Sequence, residues 1–197
     1  MNLKQSILAF SLLLSSSFIF AQGTDTPWKI DKAHTAITFT VPHLMISEVT
    51  GAFKDYEIQV TAAKADFTDL KINASIKTNS INTDNSQRDE HLKSDDFFNS
   101  ATYPDIKFVS TSVKKIDAKN YKIVGNLTIR DITKSVTFNA IYNGSIKNPW
   151  GNTVTVWKAS TSINRMDYNL KWNKALETGG MTVGEIVSVN MVIEMTK

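Results

Sequence analysis

From Thr35 onward the chain alternates hydrophobic and polar residues in one short run after another. Thr35-Ala-Ile-Thr-Phe-Thr-Val41 puts Ile37, Phe39 and Val41 on one face and threonines on the other. Leu70-Lys-Ile-Asn-Ala-Ser-Ile-Lys77 does the same with Ile72, Ala74 and Ile76, and the theme returns over residues 121–130, 135–142, 154–163 and 184–195. Period-two alternation built from threonine, β-branched and aromatic residues is the signal of a half-buried strand. Turn-like breaks fall at Asp117-Ala-Lys-Asn120, Asn143-Gly144, Asn148-Pro-Trp-Gly151 and Gly179-Gly180. The pattern predicts nine or ten strands with short connections. Eight or more antiparallel strands in one domain roll up or stack, because closure removes exposed edges. One stretch departs from it: Ser86-Gln-Arg-Asp-Glu-His-Leu-Lys93 is strongly polar. Ser86 stands there as a cap with Asp89 three residues on, which predicts one or two helical turns. A second helical turn is expected at His43-Leu-Met-Ile-Ser47, just after Pro42.

A barrel of this size has an interior that its own side chains fill or that holds a single small ligand. Alternation does not choose between them. Trp28, Phe39, Phe53, Phe67, Phe97, Phe98, Phe108, Phe138, Trp157 and Trp172 are many large rings for one core and lean toward a cavity. Ordinary packing accounts for them as well, so both readings stay open at this level.

The start of the chain changes the picture of where the protein works. Met1-Asn-Leu-Lys4 is a short positive segment, residues 7–20 are almost wholly apolar or serine, and Ala21 is the small residue before a cut. Those are the parts of a cleaved signal peptide, so residues 1–21 are expected to leave and residues 22–197 to form one exported domain. The apolar run, at roughly 14 residues, falls short of the ~20 that span a bilayer, and stable membrane insertion after cleavage is not expected. Cysteine is absent, so neither disulfides nor a lipid-anchoring thiol is available. The net charge is +3, falling to +2 with the loss of Lys4, which gives no argument for nucleic acid or for an anionic membrane surface.

Candidate chemistry is sparse. His34, His43 and His91 stand nine and forty-eight residues apart with no cysteine and no His-x-x-x-His or His-x-His spacing, so no metal site is expected. No serine lies in a Gly-x-Ser-x-Gly elbow, and the neighbours Asp95-Asp96 and Asp66/Asp69 read as solvated loop charges. The arginines are more informative. Only Arg88, Arg130 and Arg165 occur among 22 basic residues, each beside or near an aspartate: Asp89, Asp131 and Asp167. A chain that otherwise uses lysine keeps arginine where a flat, forked donor is needed. Internal ion pairs are the first expectation and recognition of an anionic head group the second.

Several ordered stretches then resemble a known family. Trp28-Lys-Ile-Asp31 followed by His34-Thr-Ala-Ile-Thr-Phe-Thr-Val-Pro-His43, and Val49-Thr-Gly-Ala-Phe53, resemble the opening of the YceI-like periplasmic polyisoprenoid-binding proteins. The run from Ile81-Asn-Thr-Asp-Asn-Ser-Gln-Arg88 through Phe97-Phe98, and then Tyr103-Pro-Asp-Ile-Lys-Phe-Val-Ser110, is similar to that family too. So are Val124-Gly-Asn-Leu-Thr-Ile-Arg130, Ile132-Thr-Lys-Ser-Val136 and Ile163-Asn-Arg-Met-Asp-Tyr168. Thr35, Asp131 and Asn169 depart from it, standing where serine, glycine and glycine are usual.

The resemblance implies an all-β, lipocalin-like extended antiparallel barrel in the periplasm. It would carry a long-chain polyisoprenoid or similar amphiphile as ligand, need no cofactor, catalyse nothing and have homodimers among its relatives. With a lipid in the bore, the expected lining is Ile37, Phe39, Val41, Ile72, Ile76, Phe108, Leu127, Ile129 and Phe138, which share strand faces. The expected polar mouth is His34, His43, Arg88 and His91. The alternative is a filled envelope barrel that acts through protein contacts.

Overall fold

A computed structural model describes residues 27–197; the leader expected over residues 1–21 lies outside them. Among the described residues eleven strands form: β1 Pro27–Ile30, β2 Ala36–His43, β3 Ser47–Phe53, β4 Tyr56–Thr61, β5 Lys71–Lys77, β6 Ile81–Asn82, β7 Asp105–Lys115, β8 Asn120–Ile129, β9 Ile132–Lys147, β10 Thr153–Asn164 and β11 Ile186–Thr196. One helix, α1, spans Ser86–Lys93, and two 3-10 turns cover Thr78–Ser80 and Arg165–Tyr168. No helix among the described residues is long and apolar enough to cross a membrane.

Hydrogen bonding runs β1-β4-β5-β7-β8-β9-β10-β11 and returns to β1, all antiparallel, so eight strands close a barrel. Closure uses β11 twice. Its residues Ser188–Val192 pair with β2, and its last part pairs with β1 through Lys29↔Thr196 and Ile30↔Met195. β2, β3 and β6 branch from β11 and reach toward β5 through the bonds Lys54 N–H to Ser80 O and Lys77 N–H to Asp55 O. Alternation does the sorting: in β8, Tyr121, Ile123, Leu127 and Ile129 are buried, while Lys122 and Asn126 are exposed.

The barrel has two unlike ends. The plug end holds β1, the segment 62–70 and the β7–β8 turn. The helix end holds α1, the β8–β9 turn, the segment 165–185 and the β2–β3 turn.

Local outcomes differ from expectation in instructive ways. Asn85, not Ser86, caps α1, its side-chain oxygen accepting the Arg88 N–H at 3.0 Å. Residues 43–47 form no helix: they are the turn of the β2–β3 hairpin, with φ of 52° at Leu44 and 65° at Met45. Asn143-Gly144 does not break the chain either. β9 runs through it, and Asn143 is the extra residue of a bulge between the pairs Trp157↔Tyr142 and Val156↔Gly144. A second bulge sits at Thr111, between Ser110 and Ser112.

Candidate functional site

An apolar cavity of about 220 Å³ runs along the barrel interior. Ile37, Phe39, Val41, Ile72, Ile76, Phe108, Leu127, Ile129 and Phe138 all line it, because the alternation of β2, β5, β7, β8 and β9 turns those side chains toward the axis. Alternation also brings in Val187, Val189, Met191, Ile193 and Met195 from β11. Leu92 of α1, together with Phe97, Phe98, Leu170 and Val183, extends the lining at the helix end. The cavity volume is well above the roughly 10–15 Å³ at which a cavity first admits a single water.

Two glycines shape this wall. A Cβ at Gly125 would meet the Phe108 ring at 2.4 Å and the Val109 carbonyl oxygen at 2.6 Å. A Cβ at Gly51 would meet the Phe39 ring at 2.4 Å. The missing side chains give Phe108 and Phe39 somewhere to lie against the sheet. Any side chain at either position would push a bore-lining ring out of place.

At the plug end the rings pack on each other. Phe67, carried by the segment 62–70 in a left-handed conformation (φ 56°), sits 5.7 Å from Trp28, 5.5 Å from Tyr142 and 5.3 Å from Trp157 between ring centroids. Trp157 in turn meets Tyr121 at 4.9 Å and Tyr142 at 5.0 Å. Tilted and edge-to-face contacts at these separations are favourable geometries for aromatic pairs. Asp69 ties the loop down, accepting the backbone N–H of Ala63 and Lys64. The Tyr121 hydroxyl donates to the Asp66 carbonyl oxygen at 2.9 Å. Asp66 and Asp69 therefore hold a loop.

At the helix end the charged lining residue is Arg165, buried at 4 % exposure. Its guanidinium collects main-chain oxygens: Nε donates to Gly184 O at 2.8 Å, Nη1 to Trp172 O at 2.9 Å and to Leu170 O, and Nη2 to Val183 O at 3.2 Å. Burial pulls its pKa below the ordinary arginine value, and the nearby Glu185 carboxylate opposes that. Arg130 works similarly, its Nη1 donating to the carbonyls of Asp95, Phe97 and Asn169. Arg88 donates to the hydroxyl and carbonyl of Thr83, and Asp89 accepts from the same Thr83 hydroxyl at 2.6 Å. The expected ion pairs with Asp89, Asp131 and Asp167 are thus replaced by bonds to uncharged oxygens. Asp167 pairs instead with Lys134 at 3.0 Å.

The four residues expected at a polar mouth do not converge, and none of them lines the cavity. His34 and His43 lie at opposite ends of β2. His43 sits beside Ser47, its Nδ1 3.4 Å from the hydroxyl, while Arg88 on α1 braces Thr83 in the segment before the helix. His91 stacks edge-on behind the lining residue Phe97 (5.1 Å) and on Trp172 (4.9 Å), with Nε2 2.8 Å from Asp96. His34 projects at the plug end, Nδ1 3.0 Å from Asp31 and 3.7 Å from Glu194, and the Asp31 hydrogen bond raises its pKa. These three donor groups lie within 4.8 Å of one another. Spacing along the chain missed this grouping because Glu194 arrives on β11.

Asn169 explains one departure from the family pattern. It closes the Arg165–Tyr168 turn with φ 59°, a left-handed conformation that glycine takes freely and asparagine tolerates. In the two-residue β8–β9 turn the left-handed position is Arg130, at φ 56°, so Asp131 needs no glycine.

A closed antiparallel barrel with an apolar bore and short additional strands defines an extended, lipocalin-like barrel. The chain belongs to the family of the YceI-like domain, whose model matches residues 28–195. A UPF0312 protein of Staphylococcus aureus (strain MSSA476) is 41% identical over 172 residues, covering 87% of this chain and 98% of that protein. The crystal structure of the Campylobacter jejuni YCEI protein is 32% identical with a TM-score of 0.68, covering 85% of this chain and 95% of that one. Burkholderia cenocepacia BcnA shares the fold at a TM-score of 0.74 and 19% identity, over 84% of this chain and 99% of that one. A polyisoprenoid binding domain from Saccharophagus degradans shares it at 0.58 and 15%, over 87% of this chain and 98% of that one.

Proposed function

We propose that this protein is a non-catalytic carrier, exported to the periplasm, that holds a long-chain polyisoprenoid or similar amphiphile in the barrel interior. The observation that carries the reading is the bore: a continuous apolar wall contributed by the barrel strands, α1 and the segment 165–185. Its one charged lining residue, Arg165, already spends its donors on main-chain carbonyls. A filled core acting through surface contacts has no use for such a space. The polyisoprenoid binding domain of Saccharophagus degradans, which shares the fold, supports the ligand class.

Affinity on this reading comes from burying hydrocarbon. Each methylene contributes about 0.8 kcal/mol, so one five-carbon unit contributes roughly 3–4 kcal/mol before the cost of ordering the chain. The nine bore residues named from the sequence would contact the chain.

Two measurements test this. Protein purified from its own host is extracted and the extract analysed by mass spectrometry. Delipidated protein is then titrated with prenols of increasing length. The expected results are a co-purifying isoprenoid-type lipid and an affinity that climbs with chain length, then levels off once the bore is full. A bare polypeptide that takes up no prenol of any length would falsify the carrier reading in favour of a barrel acting through protein contacts.

A further inference from the structure

The turn between β2 and β3 is built against ordinary turn chemistry. The Ile46 N–H donates to His43 O at 3.3 Å across a four-residue turn whose central residues, Leu44 and Met45, both have positive φ. Such turns favour Asn-Gly, since a left-handed backbone is costly for other residues. Here the positions carry large apolar side chains, and these face water. Leu44 is 39%, Met45 70% and Ile46 90% exposed. Met181, on the neighbouring segment, is half-exposed, and Met45 lies against Gly180. Single exposed hydrophobics are unremarkable, but a contiguous protruding set marks a contact surface.

Its position gives the set a meaning. His43 bridges to Val183, Leu44 N–H donates to Thr182 O at 2.8 Å, and Gly184 N–H donates to Pro42 O at 2.8 Å. Val41 and Val183, directly behind the tip, line the bore. The exposed apolar surface therefore continues into the apolar wall of the cavity. Each side of a stable protein interface covers about 800 Å², more than four side chains at a turn supply. Shallow insertion at a bilayer surface, about 5–10 Å deep, needs only a few such side chains. Lys171 and Lys174 stand with Glu48, Glu177 and Glu185 on the flanking segments, nearly balancing the two signs of charge, so neither an anionic nor a cationic partner is selected.

We propose that Leu44, Met45 and Ile46 form a docking tip that inserts into the surface of a lipid bilayer, setting the helix end of the bore against the phase that holds its ligand. The purpose of this tip rests on the carrier reading, but its test does not. The chain has no cysteine, so Ile46→Cys gives a unique site for an environment-sensitive fluorophore such as nitrobenzoxadiazole. Asn152→Cys labels the other exposed apolar turn, beside Ile146 and Trp150, at the plug end.

With phosphatidylcholine vesicles, the label at position 46 is expected to shift to the blue and brighten. Adding phosphatidylglycerol should change this little, and the label at 152 should stay as in water. Met45→Ser in the labelled protein should lower the vesicle-bound fraction about tenfold. No shift at 46, or a shift at 152 as large as at 46, overturns the proposal. A shift at 46 that follows protein concentration without vesicles overturns it in favour of a second copy of the chain. The emission is read on delipidated protein, so a bore that proves unable to hold lipid leaves this outcome standing on its own.

Discussion

At the plug end Phe67 sits among Trp28, Tyr142 and Trp157, held by ring contacts that ask only for shape and area. At the helix end Arg165 reaches the carbonyls of Leu170, Trp172, Val183 and Gly184, and those bonds ask for direction and charge. Both ends are buried, yet they differ in what they tolerate. Aromatic packing accepts a neighbour of similar volume at modest cost. A buried guanidinium accepts none, because every oxygen it serves would be left without a donor. The barrel thus uses one end as a stopper and the other as a frame for an irregular segment.

The sharpest way to break the contrast is Arg165→Met. At about 1–3 kcal/mol for each orphaned carbonyl, the four carbonyls put the loss at about 4 kcal/mol or more. Urea unfolding measures the total, and hydrogen exchange should show amides of residues 170–184 losing protection before those of β8. Arg165→Lys should rescue little, since one ammonium cannot span the four oxygens. Phe67→Ala comes next, at about 3–4 kcal/mol for removing a buried ring. It should also lengthen the bore, so that the prenol series levels off at a longer chain. If Phe67→Ala matched Arg165→Met in cost and in the spread of lost protection, the two ends would not be different devices.

Gly125→Ala sharpens the comparison from the middle of the barrel. The new methyl collides with Phe108 and with the Val109 carbonyl, at an expected cost of about 1–3 kcal/mol. The displaced ring narrows the bore, so the affinity plateau should move to shorter prenols, the opposite of the Phe67 result. The smallest effect belongs to His34. Its folded pKa is raised above the ordinary histidine value, chiefly by the hydrogen bond to Asp31. Its contribution is therefore fully present below pH ~6.5 and fades as the pH rises through the raised value. Melting curves of wild type and His34→Gln should differ slightly at pH 5.5 and converge by pH 8.5.

Much of this was legible in the chain. Period-two runs located six of the strands, and because neighbours along a strand face opposite ways, the side chains on one face of β2, β5, β8 and β9 could be read as a set. All eight of the residues named on those strands line the cavity, as does Phe108 of β7. The mouth was not legible. His34, His43, Arg88 and His91 are polar residues near strand or helix ends, but a residue's place along a strand does not say which end of a barrel it reaches. Arg165 was visible as a rare arginine, and the neighbouring Asp167 suggested an ion pair. Its real partners are carbonyl oxygens of residues 170–184, which leave no trace in side-chain identity. Likewise Pro42 followed by Leu44-Met-Ile46 read as a helical turn, because a tight turn with bulky residues in left-handed positions contradicts local preference.

The seam between β1 and β11 has a consequence for assembly. Hairpins joining β7 to β11 connect neighbours in sequence and can zip up as the chain emerges, whereas Lys29↔Thr196 and Ile30↔Met195 join partners from the first and last described strands. Long-range pairings form late, since the entropy of closing so large a loop comes before any reward. Two residue pairs make a short zipper, and β1 has only two on its other side as well, so the joints of β1 should also be the first to part in native fluctuations. The ring is therefore fastened last and unfastened first at the same place.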